Sequence, residues 1–562
     1  MNQMSGAEAL VHMLQGHGVD YIFGLCGDTS LPFYDALHRL NHGMTHILSR
    51  DERSAAYMAD GYARVSGKVG VCEGPSGGGA TYIAPGLVEA NESSIPILAI
   101  TTDISVAARG RYALTELDQS ALFRPLTKWN GVIDRAEDVP KLLRTAFREM
   151  TTGRPGAAHL ALPFDVQKGA VDAADIWCDP DLGRYPAWPT GPDPAAVSRL
   201  AGVLLAARNP VIVCGGGMVL AGGETELIRL AEQLAIPVAT TISGKGSIPE
   251  DHPLAVGVVG SNGGVAETRR FMQAADLLLL IGCRAGSVTT ERWRFPAPGA
   301  CQVAHIDSDP GVIGANYPTE AAMVGDARLA LAALNAELGK PTAPARELNA
   351  AAVAEAKAAK FAAFQELAES DERPIRPERL VATLSELLDD DAVVIADPGT
   401  PCPYLSAYYP VKRTGRHFFS NRAHGALGYS LPAAIGAYHG RPGAKVVAVM
   451  GDGSFGFNGG EMETVARLGL PITFVVVSNG VFGWIKAGQK TGFDERYFSV
   501  DFNSTDHARV AEAYGLRSWR VEDPGELKSK MAAALDCPGP ALVDVICQPL
   551  QEARAPVSEW VA

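Results

Sequence analysis

The sequence predicts an α/β protein built from three doubly wound parallel-sheet domains. Short apolar runs alternate with helical patterns along the whole chain, an order typical of parallel sheets covered by helices on both faces. A chain of 562 residues is also too long for a single hydrophobic core, which favours three domains of about 150 to 200 residues. We therefore expect domains at residues 1–170, 190–340 and 375–550.

Two segments of different composition separate these domains. Residues 171–197 are rich in Pro and Asp and have no period, as expected of a connector. The second join, near 341–376, contains the run ARELNAAAVAEAKAAKFAAFQELAES. Its Ala, Glu and Lys content favours an exposed helix that runs between domains.

In the first domain a strand, a glycine turn and a helix follow one another twice. The first set is YIFGLCGDTSLPFYDAL, and the second, GKVGVCEGPSGGGATYIAPGLVEANESSIPILAIT, has a longer glycine loop. The opening run MNQMSGAEALVHMLQGHG is typical of an amphipathic helix rather than of a secretory leader, which has a charged start and an apolar centre.

The other two domains repeat the alternation. The middle domain contains the apolar strands NPVIVC, ADLLLLIG and CQVAHIDSDP. The third contains DDAVVIADPGT, GAKVVAVMGDGS, PITFVVVSNG and GPALVDVIC. Doubly wound sheets bind ligands outside the carboxyl ends of their strands, so functional residues are expected in the turns that end these runs.

The acidic balance and the cysteine pattern limit the partners and the location. A net charge of −14 argues against nucleic acid or an anionic membrane as a partner, since both need basic surfaces. Small anionic ligands remain open through local sites. Nine scattered cysteines, never spaced as CxxC, disfavour a disulfide framework and a zinc site. With no apolar run of about 18 residues, we expect a soluble, unprocessed, cytoplasmic protein.

The turn after VVAVM carries Asp452 between two glycines, and Asn479 ends the next apolar run. In a right-handed βαβ unit the two strands end at the same sheet edge, so these side chains form a cradle for a hard cation. Mg²⁺ prefers oxygen ligands and completes its shell with phosphate oxygens. Gly453 and Ser454 offer backbone N–H groups and a hydroxyl to a diphosphate. Gly-Asp-Gly also makes ordinary turns, and it is the spaced asparagine that favours a ligand site.

These motifs resemble those of thiamine diphosphate enzymes, specifically the acetolactate (acetohydroxyacid) synthase-like group. The family motif opens with GDG and closes with Asn-Asn; here it reads GDGS at 451–454 and SNG at 478–480, so Ser478 replaces the first Asn. The resemblance covers the whole chain and implies pyrimidine-binding, central and diphosphate-binding domains in that order. It also implies Mg²⁺ ligands at Asp452, Asn479 and the backbone carbonyl of Val481.

The resemblance places the catalytic carboxylate at Glu52, in the run ILSRDERSAAYMADGYARVSG. In the family a lone glutamate at this helix start hydrogen-bonds the aminopyrimidine ring and promotes loss of the thiazolium proton, while the cofactor supplies the carbanion chemistry. The residues alone leave an alternative, since Asp51, Glu52 and Arg53 also suit the first turn of any helix. In apolar surroundings the pKa of such a glutamate is raised, which suits proton transfer.

Two more runs carry implied cofactor contacts. HGALGYSLPAAIGA matches an element whose large apolar residue, here Leu427, supports a bent cofactor; a plain core leucine is the alternative. ADPGT resembles the loop beside the diphosphate and contains Gly399 and Thr400. In the family the pyrimidine domain of one subunit faces the diphosphate domain of another. This implies a homodimer or homotetramer with sites at the subunit interface.

The substrate pocket differs from that of acetolactate synthases. Aligned on RPLTK, this chain has Leu114, Thr115 and Glu116 where they have Phe-Gln-Glu, and Thr400 replaces a glutamine. Their Met and Trp after the Asn-Asn motif are matched here by Trp484 and a glycine. A lone His424 is either catalytic or a structural hydrogen-bonding group. The pocket candidates are Gly27, Asp28, Leu114, Thr115, His424 and Trp484.

The resemblance implies a lyase or carboligase that depends on thiamine diphosphate and Mg²⁺, decarboxylates a small 2-oxo acid and transfers the enamine to an acceptor. Simple pyruvate-type decarboxylases carry a His-His pair, and this chain has no adjacent histidines, so carboligation is favoured over aldehyde release. A 2-hydroxyacyl-CoA lyase and a simple 2-oxo acid decarboxylase remain alternatives. A flavin-dependent oxidase is less favoured, because GCRAGSVTTERW replaces the Arg-Phe-Asp-Asp run of FAD-binding members. FAD or ADP in the central domain is open but not expected.

Overall fold

A computed structural model describes residues 3–339 and 346–560 and contains three parallel sheets of six strands each. Helices flank every sheet, so the predicted α/β class with three doubly wound parallel sheets is confirmed. Parts of four predicted segments lie outside the described residues. They are residues 1–2 of the N-terminal run, residue 340 of the middle domain, residues 341–345 of the second join and residue 345, the first of the helical run.

The first sheet contains residues from the N-terminal third of the chain. Its strands are β2 (Tyr21–Gly24), β3 (Thr45–Leu48), β4 (Gly70–Gly74), β5 (Ile97–Asp103), β6 (Trp129–Val132) and β7 (Ala158–Pro163), in the order β3-β2-β4-β5-β7-β6; β1 (Gln3–Ser5) pairs antiparallel with β8 (Ala170–Asp172). The helices are α1 (Gly6–Gly16), α2 (Leu31–Arg39), α3 (Glu52–Ser66), α4 (Gly78–Glu92), α5 (Gln119–Phe123) and α6 (Val139–Thr151).

The second sheet has the order β11-β10-β9-β12-β13-β14, with β9 (Pro210–Cys214), β10 (Val238–Thr240), β11 (Ala255–Val258), β12 (Leu277–Ile281), β13 (Gln302–Asp307) and β14 (Ala321–Val324). Its helices are α7 (Pro194–Ala206), α8 (Gly216–Ala221), α9 (Glu224–Leu234), α10 (Ala266–Ala274), α11 (Ala327–Leu338) and α12 (Ala350–Ala368). The helix predicted at the second join is α12. It is not fully exposed, because Val353, Ala356 and Phe364 form a buried stripe at helical spacing.

The third sheet has the order β16-β15-β17-β18-β20-β19, with β15 (Val393–Ala396), β16 (Phe418–Ser420), β17 (Val446–Gly451), β18 (Ile472–Ser478), β19 (Arg517–Val521) and β20 (Ala541–Ile546). The helices in this region are α13 (Pro377–Leu387), α14 (Pro401–Tyr408), α15 (Ser430–Gly440), α16 (Asp452–Asn458), α17 (Met462–Leu468), α18 (Gly483–Gly492), α19 (His507–Ala513) and α20 (Pro524–Leu535). Every residue of β18 is buried, which explains why the strand is mostly apolar.

The described chain divides into two compact units. The first unit contains residues up to Trp188 together with Asn421–Gly443 and Asn458–Leu470. The second unit contains Pro189–Ser420, Ala444–Phe457 and the chain from Pro471 onward. The second and third sheets therefore belong to the second unit, whereas α15 and α17 belong to the first.

Within the first unit, α3 and α15 pack with their backbones in close contact. A Cβ atom at Gly61 would overlap the carbonyl of Ala433, and one at Gly436 would overlap the carbonyl of Met58. Only glycine permits this approach, so α15 fixes the position of the middle of α3. Among the described residues, no helix is long and apolar enough to cross a membrane.

Candidate functional site

In the second unit, Asp452 joins the carboxyl ends of β17 and β18. Its Oδ2 accepts hydrogen bonds from the backbone N–H groups of Asn479 (2.7 Å) and Gly480 (2.6 Å), and its Oδ1 accepts one from Gly453 (2.9 Å). Burial raises the pKa of Asp452, and these three hydrogen bonds oppose the shift. The carboxylate is thus held in one orientation at the sheet edge, where a cation would favour its charged form.

The side chain of Asn479 presents an unused oxygen beside Asp452. Its Oδ1 is buried and has no hydrogen-bond partner among the residues that the structure describes, while its Nδ2 lies 3.5 Å from Thr400 Oγ1. A buried polar atom left without a partner costs about 1–3 kcal/mol. Such an atom at the end of a strand is available to a ligand.

The loop that follows β15 lies beside this edge, because β15 pairs with β17. Gly399 has a φ of 96°, and no atom lies within 4 Å of the position where its Cβ would be. Thr400 is 6% exposed, and Ser454 donates from its hydroxyl to Asp397 Oδ1 at 3.2 Å. The loop therefore leaves open space over Gly399 and places hydroxyl groups next to the Asp452 turn.

Two aromatic rings cover the turn on its other side. A Cβ at Gly453 would lie 2.7 Å from the ring of Phe482, which packs edge-on against Phe502. Trp484, in the first turn of α18, packs edge-on against Trp560, with 5.1 Å between ring centroids. Lys486 on the same helix forms an ion pair with Asp501 at 2.6 Å, so its charge is already paired.

Ser478, which stands where the motif has its first asparagine, belongs to a buried polar network. Its hydroxyl donates to Asp544 Oδ1 at 2.5 Å and lies 3.0 Å from His507 Nδ1. Arg520 donates to the other oxygen of Asp544 at 2.9 Å. Sequence reasoning missed this network, and the available signal was one carboxylate in the apolar run ALVDVI. The network anchors the end of β18 just before Asn479.

In the first unit, Glu52 is the first residue of α3 and is 7% exposed. Asp51 caps the helix by accepting hydrogen bonds from the backbone of the first turn. Burial raises the pKa of Glu52. A Cβ at Gly74 would lie 3.2 Å from Glu52 Cγ, and one at Gly79 would lie 3.0 Å from its Oε1. The glycine loop therefore wraps closely around this carboxyl group.

Four of the pocket candidates lie around the same glycine loop. Thr115 Oγ1 is 2.8 Å from Ser76 Oγ, and a Cβ at Gly27 would lie within the space of the Pro75 ring. Asp28 accepts a hydrogen bond from the backbone of the next residue, and Leu114 is 87% exposed. This part of the first unit is lined by hydroxyl groups.

His424 and Leu427 also belong to the first unit. The backbone N–H of His424 donates to Glu89 Oε2 at 2.7 Å, and its side chain is exposed. Leu427 is half-buried, just before α15. Glu89 also pairs with Arg64 inside the unit, so this loop is tied to a buried ion network.

Comparison with known proteins decides the family. Three models of the thiamine pyrophosphate (diphosphate) enzyme family match the chain: the N-terminal TPP binding domain over residues 4–122, the central domain over 197–334 and the C-terminal TPP binding domain over 397–545. The chain belongs to the thiamine pyrophosphate enzyme family.

Relatives narrow the group within this family. The chain is 36% identical to a probable acetolactate synthase large subunit of Methanocaldococcus jannaschii, over 98% of this chain and 93% of that protein. It is 33% identical to the acetolactate synthase isozyme 3 large subunit of Escherichia coli, over 95% and 93%, and 33% identical to an acetolactate synthase of Mycobacterium bovis, over 96% and 87%. The protein is therefore an acetolactate synthase-like member of this enzyme family.

The residues of the second unit fit the diphosphate end of the family's cofactor. Within residues 3–339 and 346–560, no three His, Cys, Asp or Glu side chains are grouped to hold a metal ion. A cation at this edge therefore needs amide, backbone and phosphate oxygens besides Asp452, which is the donor set that suits Mg²⁺. The unpartnered Oδ1 of Asn479 is such an oxygen.

Sequence reasoning also missed a buried carboxyl next to Glu52. Glu73, in β4, is fully buried, and its Oε2 accepts a hydrogen bond of 2.7 Å from the hydroxyl of Tyr34. The hydroxyl of Tyr34 in turn lies 2.9 Å from His46 Nε2. The signal in the sequence was a single acidic residue in the apolar run VGVCEG.

Proposed function

We propose that this chain is a carboligase that depends on thiamine diphosphate and Mg²⁺, removes CO₂ from a small 2-oxo acid and joins the remaining acyl unit to a carbonyl acceptor. The observation that carries the proposal is the whole-length similarity to acetolactate synthases. Thiamine diphosphate, when bound, supplies the carbanion chemistry that breaks and makes the C–C bond. The residues of this chain bind it, orient it and control protons around it.

In this proposal the second unit binds the metal and the diphosphate. The fixed carboxylate of Asp452 and the free Oδ1 of Asn479 support the assignment, because both oxygens lie at one sheet edge. The carbonyl of Val481 supplies the third metal ligand. The diphosphate contacts are Gly453, Ser454, Gly399 and Thr400, and Leu427 supports the cofactor ring.

Glu52 exchanges the proton on which the reaction depends. Its burial at the start of α3 and its raised pKa support this role. A carboxyl group whose pKa is nearer to neutral pH transfers a proton more effectively at that pH. The tight glycine loop keeps water away from one side of the group. The substrate pocket is proposed to include Gly27, Asp28, Leu114, Thr115, His424 and Trp484.

We further propose a homodimer or homotetramer with sites shared between subunits, and the domain limits 1–170, 190–340 and 375–550. Two of these relatives are named large subunits, and the word subunit supports an assembly of several chains. All nine cysteines are free, and this supports a reducing, cytoplasmic location. Light scattering of the protein as it elutes from a size-exclusion column would measure the number of subunits. A monomer would contradict a site shared between subunits.

The test is proton NMR of pyruvate incubated with the purified protein, thiamine diphosphate and Mg²⁺. Acetolactate or acetoin is the expected product. Acetaldehyde alone would replace the proposal with a simple decarboxylase. Untouched pyruvate would refute the donor, and conversion of a 2-hydroxyacyl-CoA instead would make the protein an acyl-CoA lyase.

A pair of variants tests the role of Glu52. Glu52→Gln keeps the size of the side chain and removes its acidity, so turnover should fall by at least a hundredfold while the cofactor still binds. Glu137→Gln is the matched control, because Glu137 is a surface carboxylate of the same unit with a side chain 55% exposed. Full turnover in Glu52→Gln would refute the assigned role.

A further inference from the structure

Glu73 is a second carboxyl group that the proposed function does not use. It is fully buried in β4, where the neighbouring Val71 and Cys72 are also buried. A Cβ at Gly24 would lie 2.7 Å from Glu73 Oε2, so the carboxyl fills the space above that glycine. Its position is therefore defined by the backbone of β2 and by the hydroxyl of Tyr34.

Only one of its two oxygens is satisfied. Oε2 accepts the 2.7 Å hydrogen bond from Tyr34, whereas Oε1 is buried and has no hydrogen-bond partner among the described residues. A buried carboxylate with a free oxygen is costly to keep charged, and such a group binds a proton instead. Burial raises the pKa of Glu73 to about 7, against the lowering effects of the hydroxyl groups of Tyr34 and Ser30.

Titratable groups face Glu73 from four elements. They are Tyr34 from α2, Cys26 from the loop after β2, Glu52 from α3 and, through Tyr34, His46 from β3. Burial lowers the pKa of His46 to about 4, so this ring is neutral near pH 7. Glu52 packs against the residue that follows Glu73, since a Cβ at Gly74 would lie 3.2 Å from Glu52 Cγ. At this short range the negative charge of Glu52 raises the pKa of Glu73 further. None of these four groups supplies a positive charge that would balance a second carboxylate.

We propose that Glu73 is a positioning residue for Glu52: the two buried carboxyls exchange protons with solvent as a coupled pair, and the charge on one sets the proton affinity of the other. Glu52 loses its proton first as pH rises, because the negative charge of Glu52 is already present when Glu73 titrates. When Glu73 releases its own proton to solvent, the added charge makes Glu52 hold a proton more strongly. The inference rests on the proposed function only for the catalytic role that the function assigns to Glu52.

A purely structural role makes a different prediction. If Glu73 only accepts the hydrogen bond of Tyr34, then Glu73→Gln keeps the same contact and changes thermal stability alone. If the coupling is real, the same variant removes one proton-binding group and alters the titration of its neighbour. The two cases are separated by counting protons directly.

The experiment is an infrared titration of the cofactor-free protein between pH 5 and 9, following the absorption of protonated carboxyl groups. The wild-type protein should lose such an absorption with a midpoint near pH 7, and Glu73→Gln should lack that step. Glu461, another buried carboxyl whose burial raises its pKa to about 7, contributes a second step, which Glu461→Gln identifies. Survival of both steps in Glu73→Gln would overturn the inference.

Two further variants give shifts of opposite sign. Tyr34→Phe removes the hydrogen bond that favours the charged form, so the Glu73 midpoint should rise by about one pH unit. Glu52→Gln removes the neighbouring charge, so the midpoint should fall. An unmoved midpoint in Glu52→Gln would show that the pair is uncoupled. Asp35→Asn, an exposed change on α2 with a side chain 62% exposed, is the control and should move neither step.

Activity adds an independent readout. In the loaded enzyme, Glu73→Gln should change the dependence of kcat on pH above neutrality, with little change in KM, because it acts on the proton affinity of Glu52 rather than on binding. An unchanged pH profile would contradict the inference. The infrared titration needs neither cofactor nor turnover, so a failure of the proposed function would leave its outcome intact.

Discussion

Replacing Asn479 with alanine should affect the free protein and the ligand-bound protein in different ways. Within the described part of the chain, its buried Oδ1 has no partner, and its side-chain amide nitrogen makes one long hydrogen bond, 3.5 Å to Thr400 Oγ1. Its backbone N–H, which donates to Asp452, is kept in Asn479→Ala. The variant therefore removes an unsatisfied oxygen and a weak bond, but not the link between β17 and β18.

The structure sets the size of both effects. Relief of the unsatisfied oxygen, worth about 1–3 kcal/mol, offsets the lost packing, so the free protein should change by no more than about 1 kcal/mol. At a ligand concentration of about 100 Kd, bound cofactor and metal stabilise the wild-type protein by about 2.7 kcal/mol. If the loss of this oxygen weakens binding by about a hundredfold, the same concentration adds only about 0.4 kcal/mol.

Calorimetry measures both quantities. Melting temperatures are compared for the wild type and Asn479→Ala, alone and with thiamine diphosphate and Mg²⁺. Asn316→Ala is the matched control, because Asn316 is an exposed amide of the same unit that donates to the carbonyl of Arg284 at 2.9 Å. The control should keep the full ligand-induced rise in Tm.

Two results would refute the reasoning. A large loss of Tm in ligand-free Asn479→Ala would mean that Oδ1 already has a stabilising partner in the free protein. A ligand-induced rise in Tm equal to that of the wild type would mean that the amide is not a ligand. Only the combination of an unchanged free protein and a lost ligand response supports the proposed metal site.

Three other predictions concern packing, pH and cofactor content. Gly436→Ala pushes a Cβ into the carbonyl of Met58 and should cost about 1–3 kcal/mol; Gly202→Ala, with nothing within 4 Å, should leave Tm unchanged or raise it, and equal melting curves would contradict the close packing. Burial alone raises the pKa of Asp544, but hydrogen bonds led by that of His507 outweigh it and leave the pKa lowered. Its contribution to stability is therefore present above the unfolded pKa of about 3.9 and is lost as pH falls through the folded value, so the Tm gap between the wild type and Asp544→Asn should narrow in acid; a constant gap would count against this linkage. The protein incubated with FAD and then desalted should show no flavin absorption band, and a retained band would require a flavin site in the central domain.

The three sheets and the edge occupied by Asp452 and Asn479 could be predicted from the sequence. Parallel strands buried on both faces are mostly apolar, so β17 and β18 are visible as nearly continuous apolar runs. A right-handed crossover leaves little choice about where their carboxyl ends lie. The first residue of α3 was also predictable, because Asp51 is a strong helix-capping residue.

Tertiary structure alone decided which polar groups meet. Tyr34, His46 and Glu73 lie on three different elements, and no periodicity relates them. The same holds for the network of Ser478, which joins β18, α19 and β20. The division into two units is also invisible in the sequence. Helix α15 lies between β16 and β17 along the chain, yet it packs on α3 in the first unit. Local sequence determines the elements, since hydrophobic period and turn chemistry are properties of neighbouring residues; side-chain contacts depend on how distant elements pack, and only the folded chain decides them.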